Sequence, residues 1–259
     1  MFETIIYTKK GNIAEITLNR PKQMNAINQL MIDELGQALQ KVTQDNEANC
    51  LIIKGNEKFF CAGADITEVN KNKTTFDGYQ FSSRFQQCFA RFEEFKKPVV
   101  VAIEGLVMGG GFELMLACDF RVVAEEAKLA LPEVNIGALP AGGGTVKLPR
   151  MIGRLKATEL LLFGEPITGK MAAELGIVNV AVPRSEVVAT AENIAAKLAS
   201  KSSLVVQAIK GIINKSSDMD IAGALDLEAR GLGMLVGTED FHEGTLAFLE
   251  KRKPVWQGR

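Results

Sequence analysis

Two glutamates occupy positions that carboxylates rarely take. Glu113 lies between Phe112 and Leu114, and Glu133 follows Leu129, Ala130, Leu131 and Pro132. A carboxylate in apolar surroundings is uncommon unless it is paired or functional. Two such groups can supply a general acid and a general base. Each has a glycine cluster nearby: Gly109-Gly110-Gly111 just before Glu113, and Gly142-Gly143-Gly144 downstream of Glu133. Glycines that open a helix present unpaired N–H groups at the positive end of the helix dipole, which suits an anion or a developing oxyanion. They equally allow close packing of a helix on a sheet, and spacing alone leaves both readings open. Either glutamate by itself would also fit a solvated surface. The pair beside glycine loops is what points to acid–base chemistry.

Other chemistries find little support. The single histidine, His242, would have to serve any Ser-His-Asp mechanism, and no G-x-S-x-G elbow partners it. Cys50, Cys61, Cys88 and Cys118 form no C-x-x-C pair, and one histidine cannot build a multi-histidine site, so no metal is expected. Gly164 to Met171 matches a phosphate-binding loop except at its last position, where Met171 replaces the required Ser or Thr. The segment reads instead as a helix stop at Gly164 followed by Thr168 capping the next helix. Lys plus Arg is 30 against 31 Asp plus Glu, a net charge of -1, which argues against nucleic acid and polybasic membrane anchoring. The apolar runs fall short of the ~20 residues that span a bilayer. The start, Met-Phe-Glu-Thr-Ile, carries no leader pattern. The expectation is a soluble, reduced, cytoplasmic protein.

The elements that must position these residues can be read along the chain. Alternation through residues 5–18 predicts a hairpin turning at Gly11-Asn12. Asn28 is placed to cap a helix over about 29–43, with Leu30, Ile32, Leu35, Leu39 and Val42 recurring at helical spacing. Leu51-Ile52-Ile53 predicts a buried strand. A helix over about 75–95 carries Phe81, Phe85, Phe89 and Phe92 at intervals of three or four, which reads as core. Val99 to Ile103 predicts a fully buried strand. Beyond about 183, four helical patterns follow, at about 185–199, 203–214, 219–236 and 239–252. The last has Thr238 as a cap and Lys251 and Arg252 in its final turn. The fold class is α/β with a helical carboxyl-terminal piece.

At full length the chain resembles the enoyl-CoA hydratase/isomerase, or crotonase, superfamily. Four ordered blocks carry the resemblance: Asn19-Arg20-Pro21-Lys22-Gln23-Met24-Asn25-Ala26; Phe60-Cys61-Ala62-Gly63-Ala64-Asp65-Ile66; and the two glutamate-bearing segments, Gly105 to Asp119 and Leu131 to Thr145. A closing stretch, Glu243-Gly244 and Ala247 to Pro254, agrees with them. The resemblance implies a spiral of β-β-α turns over 1–195 that holds an acyl-CoA site. It implies a helical oligomerisation region over 196–259, with assembly as a trimer or a dimer of trimers. The substrates would be acyl-CoA thioesters, with no cofactor beyond the coenzyme A of the substrate itself. A few family members are reported to bind RNA; the near-neutral charge argues against it here.

Residue by residue, the backbone amides of Ala64 and Gly110 would form an oxyanion hole for the thioester carbonyl. Glu113 would position and deprotonate water for the β-carbon, and Glu133 would deliver the proton to the α-carbon. Substrate contacts would come from Lys22, Ala26, Ala62, Ala64, Asp65, Ile66, Gly109, Gly110, Pro132, Gly142 and Phe248. Lys22 reads equally as a phosphate contact or a solvated loop lysine, and Gly142 to Gly144 as a site loop or as tight packing. Hydratases of the superfamily hold glutamates at both catalytic positions, as here, so reversible hydration of a 2,3-enoyl-CoA is the leading expectation. The alternatives are an isomerase or decarboxylase using one glutamate, or a hydratase of aromatic, alicyclic or carnitine-type acyl groups. Thr145-Val146-Lys147-Leu148 departs from the common Thr-Gln-Arg-Leu, which bears on the acyl group and not on the acid–base pair.

Overall fold

The computed structural model describes residues 2–259; of the amino-terminal segment read above, Met1 lies outside the described residues. Strands β1 (Ile5–Lys10) and β2 (Ile13–Leu18) form the expected hairpin, with Gly11 in the left-handed region at φ 59°. Asn28 caps α1 (Gln29–Gln44) by accepting from the Met31 N–H at 2.9 Å. The buried face of α1 carries Met31, Ile32, Leu35, Leu39 and Val42, while Leu30 is 39% exposed and lies off it.

The unit then repeats. Strands β3 (Cys50–Lys54) and β4 (Phe59–Cys61) lead into the short α2 (Ile66–Val69) and the long α3 (Thr75–Glu93). Strands β5 (Val99–Ile103) and β6 (Leu106–Met108) lead into α4 (Gly110–Leu116). Strands β7 (Phe120–Ala124) and β8 (Lys128–Ala130) lead into α5 (Gly144–Ile152) and α6 (Arg154–Phe163). A two-residue β9 (Ile167–Thr168), α7 (Gly169–Glu174) and β10 (Val180–Val182) follow. The larger sheet has the order β1-β2-β3-β5-β7-β10 and the smaller one β4-β6-β8-β9. From β3 to β8, each repeat places its first strand in the larger sheet and its second in the smaller. The chain therefore advances one strand along both sheets per turn, which is the expected β-β-α spiral.

The buried strands explain the apolar runs. Every residue of β5 is buried between β3 and β7, both parallel to it. Helix α8 (Val187–Ala199) packs on β3, β5 and β7 through Val187, Ala191, Ala195 and Ala199, small side chains that bring the helix close to the sheet. Phe85, Phe89 and Phe92 of α3 are buried, and Phe81 packs half-buried against the core. Fully burying each phenyl ring contributes ~1.5–3 kcal/mol. Gly164 ends α6 in the left-handed region, and the Thr168 hydroxyl caps α7 by accepting from Met171 at 3.1 Å, as read from the sequence.

Helices α9 (Ser203–Ser216), α10 (Ile221–Val236) and α11 (Glu239–Leu249) complete the chain, packed in succession. One correction concerns the last of them. Lys251 and Arg252 are not in its final turn, because the helix stops at Leu249 and Lys251 takes φ 54°. The Arg252 side chain reaches back to Glu243 at 2.6 Å and Glu250 at 2.7 Å, while its backbone N–H closes the helix end on the Ala247 carbonyl at 3.0 Å. No described helix is long and apolar enough to cross a membrane.

Candidate active site

Strands β4, β6 and β8 are parallel neighbours in the smaller sheet, so their carboxyl ends emerge along one edge. In α/β folds that edge is where ligands bind. Here β4 delivers Ala62 to Asp65, β6 delivers Gly109 and the start of α4, and β8 delivers Pro132 and a 3-10 turn, Glu133–Ile136. The loop before α5 adds Gly142 to Gly144.

Glu113 sits one turn into α4, only 4% exposed. Its Oε1 accepts the Gly144 N–H at 2.8 Å, which orients the carboxylate. Burial pushes its pKa up to about 7; the Gly144 N–H opposes that rise and the nearby Glu133 charge adds to it. The Glu133 carboxyl is also raised by burial, and its Oε2 is buried with no hydrogen-bond partner among the described residues. An unpartnered buried carboxylate oxygen is expensive, so it signals a group awaiting something to bond or to protonate.

The glycines divide between the two readings left open by their spacing. Gly109 has φ 49°, and a Cβ there would lie 2.8 Å from Glu133 Oε1, so only glycine lets that carboxylate lie against the turn. Gly111 instead abuts Cys61 and serves packing of helix on strand. A Cβ on Gly142 would come 2.6 Å from Glu113 Oε2 and 2.7 Å from the Phe89 ring, so this loop belongs to the site as well as to the core.

The amides of Ala64 and Gly110 complete the arrangement. Neither N–H has an acceptor among the described residues. A Cβ on Gly110 would stand 3.5 Å from the Ala64 nitrogen, so the two peptide units are neighbours across the gap between the β4 and β6 loops. The amide of Gly110 is also a first-turn helix amide, with the dipole behind it. Two free donors lie at one strand edge with two carboxylates raised by burial. That set can hold a developing oxyanion, remove a proton and deliver one.

The remaining candidates are spread more widely. Ala26 is buried, with its carbonyl taken by Arg20. The Ala62 N–H is spent on the Met24 carbonyl at 3.0 Å. The Asp65 carboxylate is engaged by Arg20 and Thr67. Ile66 is 58% exposed at the start of α2. Lys22 is exposed in the 3-10 turn Pro21–Gln23. Phe248 stands 83% exposed on α11 and is not among the groups the strand ends gather. Lys147 pairs with Glu93, and Val146 faces outward.

Two residues of the core stripe on α3, Phe85 and Phe89, also border the site. The Phe85 ring lies 3.2 Å from the Cβ position of Gly110, and Phe89 backs Gly142. Their helical spacing announced a buried stripe; which loops it would meet is a long-range fact. Among the described residues, no three His, Cys, Asp or Glu side chains gather as a metal site would.

Similar proteins place the chain in a family. The profile of a family described as Enoyl-CoA hydratase/isomerase matches residues 8–259. The chain is 41% identical to a "Probable enoyl-CoA hydratase" of Bacillus subtilis, covering 95% of each protein. It is 38% identical to a "Crotonyl-CoA hydratase" of Syntrophomonas wolfei, covering 97% of each. A crystal structure of an enoyl-CoA hydratase from Bacillus anthracis superposes with a TM-score of 0.94 at 34% identity, covering 99% of this chain and 100% of that one. The paired glutamates, the two free amides and these matches over nearly the whole chain agree: the protein belongs to the enoyl-CoA hydratase/isomerase family.

Proposed function

We propose that the protein is an enoyl-CoA hydratase, adding water reversibly across the 2,3-double bond of an acyl thioester. The observation that carries this is a buried carboxylate, Glu113, and a partly buried one, Glu133, whose Oε2 lacks a partner, beside two unpaired backbone amides. Glu113, once ionised, takes a proton from water as its oxygen bonds to C3. Electron density moves through the alkene to the thioester oxygen, where the Ala64 and Gly110 N–H groups stabilise the enolate. Glu133 gives its proton to C2, so the product gains one water in total. Burial raises both carboxyls above the usual carboxylate range, Glu113 to about 7, so each holds a proton more readily than an exposed glutamate does. Losing one such oxyanion donor typically costs ~2.7–4 kcal/mol of transition-state stabilisation.

No cofactor is needed beyond the coenzyme A of the substrate. The backbone at Ala62 and Ala64 would follow the adenine and thioester ends, and Lys22 would meet a phosphate. The four buried free thiols support a reducing compartment, and the reading is a cytoplasmic protein. The exposed apolar side chains Ile221, Leu225, Leu232 and Met234 of α10 support a homo-oligomer, a trimer or a dimer of trimers.

The test is loss of the near-ultraviolet absorbance of crotonyl-CoA, with product analysis in labelled water. Uptake of one labelled oxygen is the expected result. No turnover on any short, medium, aromatic or alicyclic enoyl-CoA would reject the assignment. A moved double bond or released carbon dioxide would point to the isomerase or decarboxylase reading.

A further inference from the structure

The block from Asn19 to Ala26 has no part in the steps above, yet it is bonded throughout to the Ala64 turn. The Arg20 guanidinium spans two anchors: Nη1 donates to the Ala26 carbonyl, and Nη2 donates to Asp65 Oδ2 at 3.0 Å. Asn25 is fully buried. Its Oδ1 accepts the Arg20 N–H at 2.9 Å, and its Nδ2 donates to the carbonyls of Phe59 at 3.2 Å and Phe60 at 3.1 Å. Met24 and Asn25 hold φ 50° and 57°, a region that non-glycine residues keep only where the surroundings over-determine it.

The backbone finishes the connection. The Ala62 N–H donates to Met24 at 3.0 Å, the Ile27 N–H to Gly63 at 2.7 Å, and the Asp65 N–H to Ile27 at 2.8 Å. The last two bonds straddle Ala64, which forms a parallel bridge with Ile27. In such a bridge the flanking residues carry the hydrogen bonds, and the central residue's own N–H points to the other side. Ile27 therefore grips both neighbours of Ala64 and leaves the Ala64 N–H turned away from the 20–27 loop, with its nitrogen 3.5 Å from the Cβ position of Gly110.

We propose that Arg20, Asn25 and Asp65 are positioning residues for the Ala64 oxyanion donor. They hold the 20–27 loop as the template against which the Ala64 turn is set. The inference rests on Ala64 and Gly110 being the oxyanion donors. The side chains of all three are bonded within the protein, and they act on the donor through Ile27 and the backbone of residues 63–65. Asp65 serves twice, because its Oδ1 also accepts from the Thr67 N–H at 3.1 Å and hydroxyl at 2.7 Å, fixing the first turn of α2. Burial alone would raise the Asp65 carboxyl, but the bonds from Thr67 and Arg20 outweigh it and hold the group below the usual carboxylate range. A stabilising donor must lie within ~2.7–3.1 Å of the oxyanion, so a small rotation of this turn weakens catalysis without removing any catalytic group.

The test uses Asp65→Asn, which keeps an oxygen for Thr67 but sets an amide NH2 against Arg20, and Arg20→Lys, which keeps the charge but loses the two-anchor span. Kinetics with crotonyl-CoA are paired with a chromophoric enoyl-CoA whose conjugation runs from the thioester carbonyl to an aromatic amine. Its absorption moves to longer wavelength when the carbonyl is polarised. For Asp65→Asn, kcat should fall about tenfold or more while KM stays within about threefold, with a smaller red shift on binding. Arg20→Lys should lie between this variant and the wild type. Folded variants with unchanged kcat and full red shift would overturn the proposal, as would a raised KM at constant kcat. Should Asp65→Asn not fold, Arg20→Lys is judged by the same criteria. No red shift in the wild type would reject the oxyanion assignment itself and this proposal with it; a wild-type shift that survives in the variants rejects the positioning role alone.

Discussion

Glu113 and Glu133 share a chemical type and differ in their surroundings. Glu113 is oriented by the Gly144 N–H, while the Glu133 Oε2 is left without a partner. Glu113→Gln and Glu133→Gln preserve shape and remove the carboxylate. Each should lower hydration by at least the ~100-fold typical of a general acid–base group. The double variant should lose less than the product of the two, because one coupled step uses both. Acyl-CoA affinity should survive within a few-fold, since the amide donors remain, and exchange of the α-proton with solvent should depend chiefly on Glu133. If Glu113→Gln hydrates normally while Glu133→Gln is dead, the hydratase assignment falls. Stability carries a second signature. The Glu113 pKa rises on folding from 4.5 to about 7, so between those values the folded state binds more protons than the unfolded one. Stability contributed by the protonated form is then lost as pH rises through this window, by about 3 kcal/mol. Glu113→Gln removes that slope and should melt above the wild type at pH 8, which differential scanning calorimetry would read. An equal or lower midpoint there would show that the buried charge is not a burden on the fold.

Between elements, the main electrostatic tie is the one joining α9 to the core. Lys210, 9% exposed, donates to Asp119 Oδ2 at 2.7 Å and to the carbonyls of Phe92 at 3.1 Å and Lys97 at 3.3 Å. Asp119 in turn accepts the Val99 N–H at 2.7 Å, so one carboxylate links the helix to the first residue of β5. Removing one partner of a buried pair leaves the other charge uncompensated, at a cost of about 3–5 kcal/mol. Lys210→Met should lower the thermal midpoint by several degrees, and Asp119→Asn made in the same chain should recover part of the loss. A midpoint within a degree of wild type would mean that apolar contacts alone hold α9. The periodicity of α9 was visible in the sequence, but a lone lysine at its position reads as solvated. Only its distant partners on three segments turn it into a tie.

At the scale of the whole molecule, the described chain leaves much apolar surface on its helical end. No side chain of α10 is buried, and Ile221 is 80% and Met234 79% exposed. A helix rich in Leu, Ile and Met that fully buries no residue within its own chain and leaves this much apolar surface exposed calls for a partner surface. Leu232→Glu and Met234→Glu together should shift the protein to smaller species in sedimentation velocity while leaving the circular dichroism of the protomer intact. A wild type that sediments as a monomer would exclude the oligomer.

Much of the frame was legible along the chain because it depends on local periodicity and local chemistry. The turn at Gly11, the caps at Asn28, Thr168 and Thr238, the buried β5 run and the stripe on α3 each follow from residues a few positions apart. The two glutamates stood out for the same reason, being charges among apolar neighbours. Spacing could not say which glycines face carboxylates and which face packing, that Phe85 and Phe89 back the site, or that Arg20, Asn25 and Asp65 lock one loop to another. Nor could it show that the helix of residue 239 onward stops before Lys251, which takes φ 54° while the Arg252 N–H turns back to the Ala247 carbonyl. Those features depend on segments far apart in the chain meeting across the smaller sheet. Only the folded parallel order of β4, β6 and β8 brings Ala64, Gly110, Glu113 and Glu133 to one edge, since the direction of a backbone N–H and the burial of a carboxylate are set by what tertiary packing places around them.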